Sequence, residues 1–210
     1  MKNIFIIIKM EILENSNQYD FYWKILLLGT CDTGKTAFCK RINYNNNYYE
    51  FMEDQKNLFY YIIPDFIIIY IKYLNRIFKL KFFDTAQQER FKTFTNNFLK
   101  LSSIYLIFYN AFNRESFNTL KDYSDKILSI DEKRIIIIVR SKYELNLEHT
   151  ENNIDIVSEE EVFEYINKKN FNDNIFFFHL SNYEKYETGI NNLLEFIIIK
   201  SIKKNLKCDN

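Results

Sequence analysis

Two of the three glycines in this 210-residue chain fall in one short run, Gly29-Thr30-Cys31-Asp32-Thr33-Gly34-Lys35-Thr36. The run fits G-x-x-x-x-G-K-[ST], the pattern of a phosphate-binding P-loop. An apolar stretch, Lys24-Ile-Leu-Leu-Leu28, precedes it and reads as a buried strand; Ala37 to Tyr44 follows and reads as a helix. Strand, glycine turn and helix are the context in which this motif has chemical meaning. Glycine lets the backbone approach a phosphate chain closely. Successive N–H groups and the helix N-terminus then face the anion. In that arrangement Lys35 reaches the β- and γ-phosphates and the Thr36 hydroxyl binds Mg²⁺. The bland alternative is a glycine turn between strand and helix with no ligand; flank, spacing and the Lys-Thr pair all argue against it.

The elements that must position this loop alternate along the chain. The first core strand spans about 22–28, and the Asn-rich run 43–47 ends the helix after the loop. Two strands near 65–73 and 77–84 are joined by a short turn at Leu74-Asn75-Arg76. A strand at 103–109 is followed by a helix from Ser116 to about Ile130 and a strand from Arg134 to Val139. Ser158-Glu-Glu-Glu161 has capping-box spacing and opens a helix to about Lys169. Asn174 to Leu180 reads as the last strand. Ile190, Leu193, Leu194 and Ile197 recur at i, i+3, i+4 and i+7, the period of an amphipathic helix. Strands alternating with helices predict an α/β domain with a mostly parallel sheet. Ligands in such sheets bind at the carboxyl ends of the strands, where the glycine run falls.

Composition narrows the function classes. The length suits one domain with a full core, and no internal repeat is present. Equal numbers of acidic and basic residues give zero formal charge, so nothing global draws the chain to nucleic acid. Ile67-Ile-Ile69 and Ile135-Ile-Ile-Ile138 are too short to span a bilayer. The N-terminal Ile4-Phe-Ile-Ile-Ile8 run is too short for a signal peptide, and Lys2 excludes N-myristoylation. Cys31, Cys39 and Cys208 make no disulfide framework and suit a reducing cytosol. His149 and His179 lack ligand partners at metal-site spacing and receive no function.

Further motifs carry a family resemblance. Tyr19-Asp-Phe-Tyr-Trp-Lys-Ile-Leu-Leu-Leu-Gly29 resembles the opening of secretory-pathway Rab proteins, and Asp84-Thr-Ala-Gln-Gln-Glu-Arg-Phe91 resembles their Asp-Thr-Ala-Gly-Gln-Glu-Arg-Phe. Lys79-Leu-Lys-Phe-Phe83, Ile62-Ile-Pro-Asp65-Phe66, Tyr109-Asn-Ala-Phe-Asn-Arg-Glu-Ser-Phe117 and Thr188-Gly189-Ile-Asn191 match further segments in the same order. The resemblance to Rab-type small GTPases of the Ras superfamily runs from about 19 to 204. It implies a P-loop NTPase fold, α/β, with a mostly parallel six-stranded sheet and helices on both faces. It also implies an N-terminal extension over 1–20, a GTPase domain over 21–204 and a tail over 205–210. The implied ligands are GTP or GDP with Mg²⁺. Gly29 to Thr36 would hold the phosphates, Thr36 and Asp84 the metal (Asp84 through water), and Gln88 the attacking water. Ser141, Lys142, Glu144, Ser181 and Asn182 stand where the family reads guanine. The implied partners are trafficking effectors, exchange proteins and activating proteins, with a monomeric chain and no nucleic acid.

The chain departs from the family where the chemistry is. No Ser or Thr occurs between Thr36 and Thr85, and Tyr61 falls where the family has a Mg²⁺-binding threonine. Gln87 replaces the glycine whose amide meets the γ-phosphate, keeping an N–H but not the backbone freedom. Asp32 stands where Gly or Ala is usual. A carboxylate about 4 Å from a phosphate would cost ~1 kcal/mol in water and ~4 kcal/mol at an effective dielectric of about 20, a penalty that vanishes if Asp32 points to solvent. The guanine-reading Asn-Lys-x-Asp appears as Ser141-Lys-Tyr-Glu144, and loss of a bidentate contact relaxes discrimination. Lys203, Lys204 and Lys207 precede Cys208, a candidate for lipidation and peripheral anchoring on endomembranes, although Asp209-Asn210 does not complete a C-a-a-X box. The same residues also read as a helix end with an incidental cysteine. The expected function is therefore a Rab-like GTPase of impaired turnover, acting in vesicle traffic. Two alternatives remain: a non-hydrolysing scaffold of the same fold, and another P-loop enzyme such as a nucleotide kinase. Scattered arginines speak against the kinase.

Overall fold

The computed structural model describes residues 10–43, 66–85, 99–131, 134–142, 156–168, 174–181 and 189–203. Seven strands form one sheet: β1 (Glu11–Leu13), β2 (Phe21–Leu28), β3 (Phe66–Tyr73), β4 (Arg76–Asp84), β5 (Ile104–Asn110), β6 (Ile135–Ser141) and β7 (Ile175–His179). Four helices accompany them: α1 (Lys35–Asn43), α2 (Arg114–Ile130), α3 (Glu159–Lys168) and α4 (Ile190–Lys203). The strand order is β1-β3-β4-β2-β5-β6-β7. From β4 through β7 neighbouring strands are parallel, while β3 is antiparallel to β1 and β4.

The central strands are apolar because both faces are covered. Ile25 and Leu27 of β2 face a core shared with Phe38 and Ile42 of α1 and Leu193, Leu194 and Ile197 of α4. Leu26 and Leu28 face the opposite core, shared with Phe117, Leu120 and Ile127 of α2 and Val162 of α3. Such two-sided burial leaves no polar alternation to see in the sequence. In β3 the alternation survives: Ile67, Ile69 and Ile71 are buried while Phe66, Ile68 and Lys72 are exposed. The β3–β4 turn places Leu74 at φ 51 and Asn75 at φ 59, the paired left-handed geometry of a tight hairpin.

Two boundaries differ from the sequence reading. The sheet has seven strands rather than six, because Glu11–Leu13, within the stretch read as an extension, pairs with β3 in the register Glu11↔Lys72. A three-residue strand carries no periodicity, so no pattern announced it. Helix α2 begins at Arg114 rather than Ser116, since the Asn113 side chain accepts from the Ser116 amide at 3.2 Å and caps the turn before it. The Ser116 hydroxyl faces inward, donating to the carbonyls of Asn113 at 2.6 Å and Asn110 at 3.1 Å.

Candidate phosphate and base site

The sequence turns sharply at the end of β2 because it must. Gly29 has φ 135, and a Cβ there would lie 2.3 Å from the Phe108 carbonyl oxygen of β5. Only glycine lets the loop pass so close to the neighbouring strand. Asp32 follows at φ 60 and Gly34 at φ 86, so the loop changes hand twice before α1 begins at Lys35. A loop that alternates in this way turns successive N–H groups to one side as an anion-binding nest. The start of α1 adds its own free amides. This happens between β4 and β5, the strands that flank β2, where the direction of chain progress across the sheet reverses.

Lys35 is 2% exposed, and its ammonium donates to the carbonyls of Gly29 at 2.6 Å and Thr30 at 2.7 Å. The Thr33 hydroxyl also donates to the Thr30 carbonyl, at 2.8 Å. These bonds hold the loop closed around a desolvated cation. The Thr36 hydroxyl donates to Asp84 Oδ2 at 3.3 Å, joining the first turn of α1 to the end of β4. Thr85, the next residue, donates to the Leu27 carbonyl at 2.7 Å and fixes that strand end against β2. Thr36 and Asp84 thus offer two hard oxygens beside a cationic cradle. Mg²⁺ is typically held by one or two such groups plus phosphate and water. Among the described residues no group of three or more His, Cys, Asp and Glu side chains gathers as a separate metal site.

Ser141 and Lys142, the described part of the segment expected to read the base, lie at the end of β6 across the loop from this cradle. Lys142, at φ 55 just past β6, donates from its ammonium to Asp32 Oδ2 at 2.8 Å. The Asp32 side chain is 84% exposed, so its carboxylate is turned to solvent and Lys142. Ser141 is buried and its hydroxyl donates to the Tyr109 carbonyl at 3.0 Å. That donor is committed to the sheet, which weakens Ser141 as a substitute for a base-reading asparagine. Ser181 is buried immediately beyond Leu180, whose amide extends the β6–β7 pairing to the Arg140 carbonyl at 2.8 Å. Tyr61, Gln87, Gln88, Glu144, Asn182 and Cys208 lie outside the described residues.

Beneath Ser141 lies a charged group that sequence reasoning passed over. Arg140 is buried at the end of β6 and bonds Glu159 Oε1 at 3.0 Å, and His179 Nε2 lies 3.4 Å from the same oxygen. Burial pushes the His179 imidazole below its ordinary value, Glu159 opposes that shift, and Arg140 adds to it. The signal was present: an arginine ending an all-apolar strand needs an acid, and Ser158-Glu-Glu-Glu161 supplies one. The Glu161 amide donates the expected capping bond to Ser158 Oγ at 3.2 Å, but the Glu161 carboxylate pairs with Arg114 instead of reaching back. Cys39 is buried, and burial raises its thiol well above the ordinary value, followed by the nearby Asp84 charge; it is a core residue. Cys31 is exposed.

Comparison with known proteins agrees with this geometry. A family model described as the Ras family matches residues 24–202. A GTP-binding protein from Zea mays, YPTM1, is 31% identical over 112 residues, 53% of this chain and 50% of that protein. The human Ras-related protein Rab-3A is 30% identical over 128 residues, 60% of this chain and 55% of that protein. The GTP-binding protein YPT1 of Saccharomyces cerevisiae is 31% identical over 115 residues, 53% of this chain and 51% of that protein. The chain therefore spans about half the length of these relatives in the matched regions. With a parallel sheet, a closed phosphate loop and Thr36 set against Asp84, the chain belongs to the Ras family, as a divergent small GTPase of the Rab type.

Proposed function

We propose that this chain binds a guanine nucleotide with Mg²⁺ and acts in vesicle traffic through effectors, with weak GTP turnover. The observation that carries the reading is the convergence of Lys35, Thr36 and Asp84 around the glycine turn at the carboxyl ends of β2 and β4. In this role Gly29 to Gly34 wrap the phosphates and Lys35 neutralises them. Mg²⁺, held by Thr36 and Asp84, would supply positive charge that offsets the charge developing on the phosphates. Thr36 and Asp84 orient that ion, and Gln88 orients the attacking water. In this reading Lys142, Glu144, Ser181 and the Asn182 amide would contact the base. The names of the relatives, GTP-binding and Ras-related, support guanine as the base.

Weak turnover follows from the sequence. With Tyr61 and Gln87 in place of a threonine and a glycine, water and γ-phosphate lose two positioning contacts, and misplacement lowers rate steeply. Peripheral membrane association through Cys208 belongs to the same proposal; among the described residues no helix is long and apolar enough to cross a membrane. The test is the nucleotide that co-purifies with the protein, together with calorimetric titration of GDP and Mg²⁺. Lys35→Ala is expected to abolish binding. Equal affinity in variant and wild type would show that the cradle is not a phosphate site.

A further inference from the structure

The charged group beneath Ser141 sits where the two segments assigned to the base begin. Arg140 lies one residue before the end of β6 and His179 ends β7, and the two are register partners on neighbouring strands. One carboxylate serves both: Glu159 Oε1 accepts from Arg140 Nη1 at 3.0 Å and lies 3.4 Å from His179 Nε2. Glu159 is in the first turn of α3, where the helix dipole favours its negative form. Arg140 stays protonated at any ordinary pH. Tyr109 of β5 is buried nearby, and burial pushes its phenol well above the ordinary value. Glu161 of α3 is paired with Arg114 of α2. The Phe177 ring packs edge-on against the imidazole, with centroids 4.7 Å apart. Among the described residues around this trio, His179 is therefore the group that changes charge between about pH 5 and 8.

We propose that Glu159 is a positioning residue for the nucleotide: it ties the segment after β6 to the segment after β7, and a proton on His179 slackens the tie and speeds nucleotide release. This role rests on the guanine-nucleotide reading above, in which those two segments contact the base. While the imidazole is neutral, the carboxylate has one cation of the pair to balance, and Arg140 is held against α3. Once protonated, the imidazole competes with Arg140 for the same oxygen and repels it across the strand pair. The Arg140 side chain is 8% exposed, so it cannot turn to water without moving its strand end. That strand end carries Ser141 and Lys142 with it. The Leu180 amide, bonded to the Arg140 carbonyl at 2.8 Å, passes the displacement to the second segment. Burial already holds the imidazole below its ordinary 6.5, with Glu159 opposing that shift and Arg140 adding to it. Loss of the nucleotide opens these strand ends to water and relieves the burial, so the nucleotide-free chain takes up the proton more readily. By linkage, the proton then favours the nucleotide-free chain.

The test follows release of a fluorescent GDP analogue from the full chain, with Mg²⁺ present, at about pH 7.5 and about pH 5.5. Release from wild type is expected to be about fivefold or more faster at the lower pH. The nucleotide's own phosphate titrates at about pH 6 as well, so His179→Gln is the control. It keeps the phosphate and is expected to lose most of the acceleration. Glu159→Gln is expected to release quickly at both pH values, and Glu159→Asp, which restores the carboxylate, to slow release again. The chain has two histidines, so His149→Gln leaves a single imidazole signal for a proton NMR titration. The His179 midpoint is expected to lie lower with GDP bound than without it, the sign that acid-promoted release requires. If Glu159→Gln fails to fold, that difference in midpoint still decides. Equal midpoints with and without GDP, or the same acceleration in His179→Gln as in wild type, overturn the inference and leave guanine-nucleotide binding intact. Failure of wild type to bind GDP at the higher pH removes the reading beneath it, and the inference with it.

Discussion

Gly29 has no room for a side chain. Adding a methyl group places a carbon 2.3 Å from a backbone oxygen of β5, at a φ of 135 that L-residues rarely adopt. Gly29→Ala is expected to cost about 1–3 kcal/mol of stability and to displace the phosphate loop. Denaturant melts and GDP titration read the two effects separately; an unchanged midpoint would mean the loop relaxes without strain. His179 gives a second residue-scale expectation. Its folded-state pKa lies below the ordinary 6.5 because burial disfavours the charged ring. Below about 6.5 the unfolded chain therefore takes up a proton that the folded chain resists, and stability falls as pH drops through that window. His179→Gln is expected to flatten this part of the stability–pH curve. A wild-type curve with no slope there would remove the buried imidazole from the account. At this scale the sequence was informative about identity and poor about pairing. Motif spacing pointed to Lys35 and Thr36 and the family resemblance to Asp84, and the structure sets Thr36 against Asp84; that Asp32 turns outward to Lys142 depends on loop geometry that no local pattern encodes.

The elements were legible where burial imposes a period or a run. β5 and β6 are continuous apolar stretches because helices cover both faces, and α4 shows its buried stripe as Ile190, Leu193, Leu194 and Ile197. β1 was not legible because three residues hold no repeat, and the start of α2 was shifted because its cap comes from a side chain, not from the serine that resembles one. Asn113→Ala tests that account. Removal of the cap is expected to cost about 1 kcal/mol, with earlier hydrogen exchange in the first turn of α2. Ser116→Ala would act differently, since Ser116 is fully buried and bonds two carbonyls and the Asn110 amide.

For the molecule as a whole, a ligand shifts a conformational equilibrium only by contacts that differ between the two states. The family obtains them from a threonine and a glycine amide at the γ-phosphate; here Tyr61 and Gln87 stand at those positions. GTP and GDP are therefore expected to leave nearly the same hydrogen-exchange pattern over residues 48–66 and 85–101. Clear protection of both segments by a non-hydrolysable GTP analogue alone would restore an ordinary switch. The overall architecture was readable from alternation of strand and helix. The strand at the sheet edge, β1, was not, because it arises from a pairing distant in sequence.

The close passage of Gly29 beneath Phe108 also sets a timetable. The strand that ends in the phosphate loop is flanked by β4 and β5, so neither neighbour exists when that strand leaves the ribosome. Phe108 is made roughly eighty residues after Gly29, a wait of roughly 4–16 s at ordinary rates of synthesis. During that interval β2 lacks its β5 neighbour, and the motif it carries has no β5 backbone to fold against. A chain released after Asp84 would contain every residue of the phosphate loop and none of the β5 backbone that shapes it. In this fold the candidate phosphate loop is translated early, and its β5 wall arrives only with the middle of the chain.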